Sequence, residues 1–102
     1  MGYLPSGLAN TVYPWTDDEP DERRRRTVFL ACQDICDHPE AMPLSIRRRL
    51  PDTPFSEYTV EIPSAAVAVT YIPFPDDSGG DGTVVFIALK DLNTDQIYRF
   101  GP

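Results

Sequence analysis

Tyr58-Thr59-Val60-Glu61-Ile62 decides the fold. Its apolar residues are interleaved with Thr59 and Glu61, which is the two-residue period of a strand with one face in a core and the other in water. Val67, Val69 and Tyr71 repeat the rhythm around Ala68 and Thr70, so a second strand follows. Pro73 to Gly82 is dense in turn residues, and Thr83 to Leu89 is a near-continuous apolar run of strand length, so the two strands flanking this acidic loop form a hairpin. Asp95 to Phe100 alternates again and predicts a fourth strand, entered through the polar turn Asp91 to Thr94.

Upstream of Phe55 the rhythm changes to that of a helix. Thr16-Asp17-Asp18-Glu19 matches a capping box, and Pro20 suits an early helical position; if Pro20 stands first, Glu19 becomes the cap. Val28, Phe29, Cys32, Ile35 and Cys36 then recur at three- and four-residue spacing down to His38-Pro39, forming one apolar stripe. Pro43 to Leu50 predicts a second, shorter helix, with Ile46 and Leu50 on one face and Pro51 as terminator. Residues 1–15 read as an arm, extended or with a short strand around Ala9 to Tyr13. The expectation is an α+β domain over residues 16–102, in which an N-terminal helical hairpin packs on a four-stranded antiparallel sheet.

The 102 residues suit one domain, and 41% hydrophobic content with eleven aromatic residues argues against global disorder. Sixteen acids against nine bases give a net charge of -7, which disfavours a general nucleic-acid binder, so any RNA contact must be local. Charge is uneven: residues 1–50 carry seven bases and eight acids, whereas residues 51–102 carry two bases and eight acids. No stretch approaches 18 apolar residues and the first residues lack a basic-then-apolar leader, so a cytoplasmic location is expected.

Cys32 and Cys36 fall four apart on the helix and read as reduced thiols in the core, since a metal site would need more ligands than the single His38 adds. Asp76, Asp77 and Asp81 do not match a calcium loop: counted from Asp77, the twelfth position is Ala88 rather than an acid. No metal and no cofactor is therefore expected. Arg23-Arg24-Arg25-Arg26 could clamp phosphate. Glu19, Asp21 and Glu22 stand four residues before Arg23, Arg25 and Arg26, however, which favours a salt-bridged helix start. Arg47-Arg48-Arg49 lacks such local partners on its N-terminal side and is the candidate partner-binding surface; in a helical hairpin it would approach the first arginine run.

The order of a helical pair, Leu50-Pro51, Tyr58 to Ile62, Val67 to Tyr71, Val84 to Leu89 and Gln96-Ile97-Tyr98-Arg99 resembles the RelE/ParE toxin superfamily over about residues 16–100. The resemblance implies a domain of two N-terminal helices and a four-stranded antiparallel sheet, working in a bacterial toxin and antitoxin pair and held by a cognate antitoxin. RelE-like members cleave ribosome-bound messenger RNA and ParE-like members poison gyrase. RelE-like members carry an arginine three residues before the strand tyrosine. Here Ala68 precedes Tyr71 at that spacing, and Glu61 replaces the base of the preceding strand. Metal-free RNA cleavage needs cations at the phosphorane and a group to move the 2′-hydroxyl proton, which leaves Lys90, Tyr98 and Arg99 as the catalytic candidates. Tyr98 as a cross-strand aromatic and Arg99 as an edge charge are the competing structural roles. The resulting expectation is a toxin-type protein that binds a protein or ribosomal target, with catalysis open. The alternative is a non-enzymatic acidic module that engages a basic partner through Asp76, Asp77 and Asp81.

Overall fold

The alternating runs fold as hairpins, and their register explains the pattern of burial. The computed structural model describes residues 2–100. Its elements in chain order are β1 (Leu4–Ser6), a 3-10 turn (Leu8–Asn10), α1 (Val12–Asp18), α2 (Glu22–Asp37) and β2 (Ser45–Arg49). There follow β3 (Ser56–Ile62), a second 3-10 turn (Pro63–Ala65), β4 (Val67–Phe74), β5 (Thr83–Asp91) and β6 (Ile97–Arg99). The sheet order is β1-β5-β4-β3-β2, with β6 also on β5.

Tyr58 opposes Tyr71, Val60 opposes Val69, and Ile62 opposes Val67, so all six side chains fall on one face and are buried. The Tyr58 and Tyr71 rings stack at 5.6 Å between centroids, and Phe86 of β5 meets Tyr71 at 6.0 Å. On the other face Thr59 and Thr70 share a hydroxyl hydrogen bond of 3.0 Å. Between β4 and β5 the register steps from Thr70 opposite Ala88 to Tyr71 opposite Phe86, leaving Ile87 as a bulge.

A helix covers the buried face. Asp21 caps α2 by accepting from the amides of Arg23 and Arg24, and Val28, Cys32 and Ile35 form its inner stripe. Phe29, expected on that stripe, is 41% exposed and Cys36 is half-buried, so the stripe is narrower than the sequence pattern implied. The helix starts at Glu22 rather than in the Thr16 to Pro20 segment, because Thr16, Asp17 and Asp18 complete α1 and Glu19 is extended. Proline sits in α1 at Pro14, the third residue, where the backbone N–H has no intrahelical acceptor to lose.

Three expectations need correction. Residues 45–49 form a strand, not a second helix of a hairpin; the two helices are 12–18 and 22–37. The sheet has six strands and is mixed, because β1 runs parallel to β5 while β2 to β6 pair antiparallel. The short strand of the first residues is Leu4–Ser6, whereas Ala9 to Tyr13 is turn and helix, placing Val12 and Trp15 in the core. The fold class remains α+β. Strands β1 and β6 share one edge of β5, the first on Thr83 to Val85 and the second on Ala88 to Lys90. Gly7 lies at their junction with φ +81°, where an added Cβ would stand 2.4 Å from the Phe86 carbonyl oxygen.

Candidate functional site

The first arginine run is divided between core and surface. Arg24 turns inward: its Nη2 donates to Asp91 Oδ1 at 3.0 Å and to the Ala66 carbonyl at 3.2 Å, its Nη1 pairs with Glu19, and its guanidinium lies 5.3 Å from the Trp15 ring centroid. Asp91 also accepts from Trp15 Nε1 at 3.0 Å and from the Asn93 amide at 2.9 Å. Burial raises the Asp91 carboxyl, but the Arg24, Trp15 and Asn93 hydrogen bonds overcome it and hold the group down at about 2. This network ties α1, α2 and β5 together and fixes the start of the β5–β6 turn. The expected pairs of Glu19 with Arg23, Asp21 with Arg25 and Glu22 with Arg26 are not among the ion pairs of the described residues. The later helix start accounts for the first two, since it leaves Glu19 outside the helix and commits Asp21 to capping, whereas Glu22 and Arg26 both lie on α2.

Arg47, Arg48 and Arg49 stand on β2, the outermost strand beside β3, and all five residues of β2 are exposed. They do not join the first arginine run. Arg47 Nε donates to Ser56 Oγ at 3.0 Å, and Arg48 Nη2 reaches Glu57 at 3.3 Å with its side chain 70% exposed. Arg47 also lines a polar cleft of about 390 Å³ with Glu40, Ser56 and Tyr58. In that cleft burial and the Glu40 charge push the Tyr58 phenol up, and Arg47 pulls it partly back.

Lys90, Tyr98 and Arg99 are neighbours in the sheet but do not converge. Tyr98 opposes the buried Leu89 and packs against the core; Lys90 opposes Ile97 and Ala88 opposes Arg99, one step either side. Strand alternation therefore sends Lys90 and Arg99 to the face opposite Tyr98. The Tyr98 hydroxyl donates to Asp18 Oδ2 at 2.8 Å, and burial together with that carboxylate pushes it up to about 12, so it is a poor proton acceptor at neutral pH. Lys90 Nζ lies 3.7 Å from Asp95. Tyr71, the strand tyrosine of the resemblance, is fully buried and donates to the Pro39 carbonyl at 2.6 Å, with burial raising its phenol.

A groove of about 710 Å³ separates α2 from the N-terminal segment, with Leu8, Phe29, Leu30 and Cys36 among its apolar lining and Arg25 and Arg26 at its polar margin. Both thiols are free; burial pushes Cys32 up to about 12 and raises Cys36, so neither is an activated thiolate. In the acidic loop the Asp76 carboxylate accepts from the Ser78 hydroxyl at 2.7 Å and its amide at 2.9 Å, which lowers it. Among the described residues no group of three or more His, Cys, Asp or Glu side chains is placed to hold a metal ion. No helix of the described residues is long and apolar enough to cross a membrane.

The Arg24–Asp91 pair and the groove were missed from sequence. The pair joins residues 67 apart and has no local signal, whereas Leu30 beside Phe29 on one helix signals a second apolar strip that the core does not absorb. No family model matches the chain, and no curated protein or solved structure matches it significantly.

Proposed function

We propose that this domain acts by binding a protein target, as the toxin-type half of a RelE/ParE-like pair, and that it does not cleave RNA. The observation that carries the reading is the contrast between its two cationic sets. Lys90, Tyr98 and Arg99 are split between the two faces of the sheet, with Tyr98 tied to Asp18, so these three do not combine a base with phosphorane-stabilising cations in one place. Arg47, Arg48 and Arg49 instead follow one another on a fully exposed strand at the edge of the sheet, Arg47 and Arg49 on one face and Arg48 on the other, where an acidic surface can reach them. The order of the antiparallel strands β3 to β6 supports the kinship, whereas the second helix of the resemblance, expected over Pro43 to Leu50, is replaced by strand β2. The acidic-loop alternative has less support, since Asp76 already serves Ser78.

The test is induced expression in bacteria, with growth, cell-free translation and gyrase supercoiling as readouts. Growth arrest without messenger cleavage is expected. It should disappear in the triple variant Arg47→Glu, Arg48→Glu, Arg49→Glu, with the circular dichroism spectrum retained. Harmless expression that leaves translation and gyrase intact removes the toxin reading, and messenger cleavage by the purified domain removes the binding one.

A further inference from the structure

We infer that the free edge of β2 accepts an acidic, extended segment of a partner protein as an added strand, an inference that rests on reading the domain as a protein binder. The phase of the backbone supplies the first argument. The Leu44 carbonyl accepts from the Glu61 amide and the Leu50 amide donates to the Phe55 carbonyl, so in the antiparallel ladder residues 44, 46, 48 and 50 face β3. Ser45, Arg47 and Arg49 consequently turn their N–H and C=O groups outward. At about 3.4 Å per residue these three span about 14 Å of unpaired edge, enough for a five-residue strand.

Side chains supply the second. Arg47 and Arg49 share the face of Tyr58 and Ser56, while Arg48 shares the face of Glu57, so an incoming strand meets cations on both of its sides. Exposed Leu44 and Ile46, at 62% and 74%, extend the edge with apolar surface. Charge selects the occupant. A second copy pairing through the same edge would bring two arginine triplets within about 10 Å of each other, between bodies that each carry -7, which is repulsive at both scales. Nucleic acid could meet the arginines but has no alternating N–H and C=O groups with which to continue the ladder. An acidic β-strand satisfies both the amides and the arginines.

The test uses the full chain and fluorescent ten-residue probes of alternating Glu and Val, of alternating Lys and Val, of the Glu probe N-methylated at every second residue, and a ten-nucleotide single strand. Fluorescence polarisation should show binding of the Glu probe, at least tenfold weaker binding of the Lys probe and of the nucleotide, and at least tenfold loss on N-methylation, which keeps the charge but blocks the strand ladder. Arg47→Pro removes an amide that faces away from β3, and Arg49→Glu reverses a charge with no partner in the sheet; each should weaken the Glu probe at least fivefold, with circular dichroism confirming the fold. Equal binding of the methylated and unmethylated probes overturns strand addition in favour of plain charge attraction. Failure of the Glu probe to bind, or preference for the nucleotide, overturns the inference altogether. None of these readouts depends on bacterial growth, so the toxin reading and the strand-addition reading can fail separately.

Discussion

Replacing Asp91 by Asn tests whether the buried network holds the helices to the sheet. Asp91 is 5% exposed, and the partners of its carboxylate draw it from 3.8 to about 2. At about 1.4 kcal/mol per pH unit that difference represents about 2 kcal/mol of folding free energy. Its two oxygens accept from Trp15, Arg24 and Asn93, whereas an Asn offers one acceptor and turns an NH2 group toward a donor, which adds about 1 to 2 kcal/mol for a polar group left unpaired. Asp91→Asn should therefore cost about 3 to 4 kcal/mol at pH 7. Because the carboxyl sits lower in the folded chain than in the unfolded one, its contribution is complete above about pH 4 and is lost as pH falls through about 2. The gap between variant and wild type should accordingly narrow by about 1 to 2 kcal/mol between pH 7 and pH 2.5. Urea unfolding followed by Trp15 fluorescence, with circular dichroism in parallel, measures both quantities. A variant within 1 kcal/mol of wild type at pH 7, or a gap that stays constant in acid, would refute the reasoning.

Other substitutions probe separate joints. Gly7→Ala should cost more than about 2 kcal/mol in thermal or urea unfolding, since it combines a left-handed φ with a Cβ driven onto the Phe86 carbonyl. Tyr71→Phe should cost about 1 to 3 kcal/mol in the same assays by leaving the buried Pro39 carbonyl without its donor. In thiol labelling at pH 8, Cys36 should react first and Cys32 only on unfolding, because a thiol at about 12 is ionised in on the order of one molecule in ten thousand. Equal rates in the folded chain would mean that Cys32 is not enclosed as described.

The strands that build the core were legible because burial on one face imposes a two-residue period on Tyr58 to Tyr71, and α2 was legible because Val28, Cys32 and Ile35 keep the helical one. Strand β2 was not. It is exposed on every residue, so nothing forces Ser45 to Arg49 to alternate, and Ile46 and Leu50 at four-residue spacing before Pro51 imitate a short helix. The first fifteen residues were misread for a related reason: Pro14 reads as a helix breaker unless the helix is known to start at Val12. The cationic strand edge was visible as composition in Arg47, Arg48 and Arg49. Its backbone phase, and the diversion of Arg24 to Asp91, depend on partners distant in sequence that local pattern does not encode.

Strand β5 receives the beginning and the end of the described chain. Leu4 finds its partner at Thr83, Trp15 at Asp91, and Asp18 at Tyr98, separations of 79, 76 and 80 residues. Contacts this remote demand the largest loop closure before they return any energy, so the hairpins of β2 to β5 can assemble while the first eighteen residues still wait. Docking of that leading segment is then the late event in refolding. Its amides should be the first to exchange with solvent, at a free energy below that of global opening.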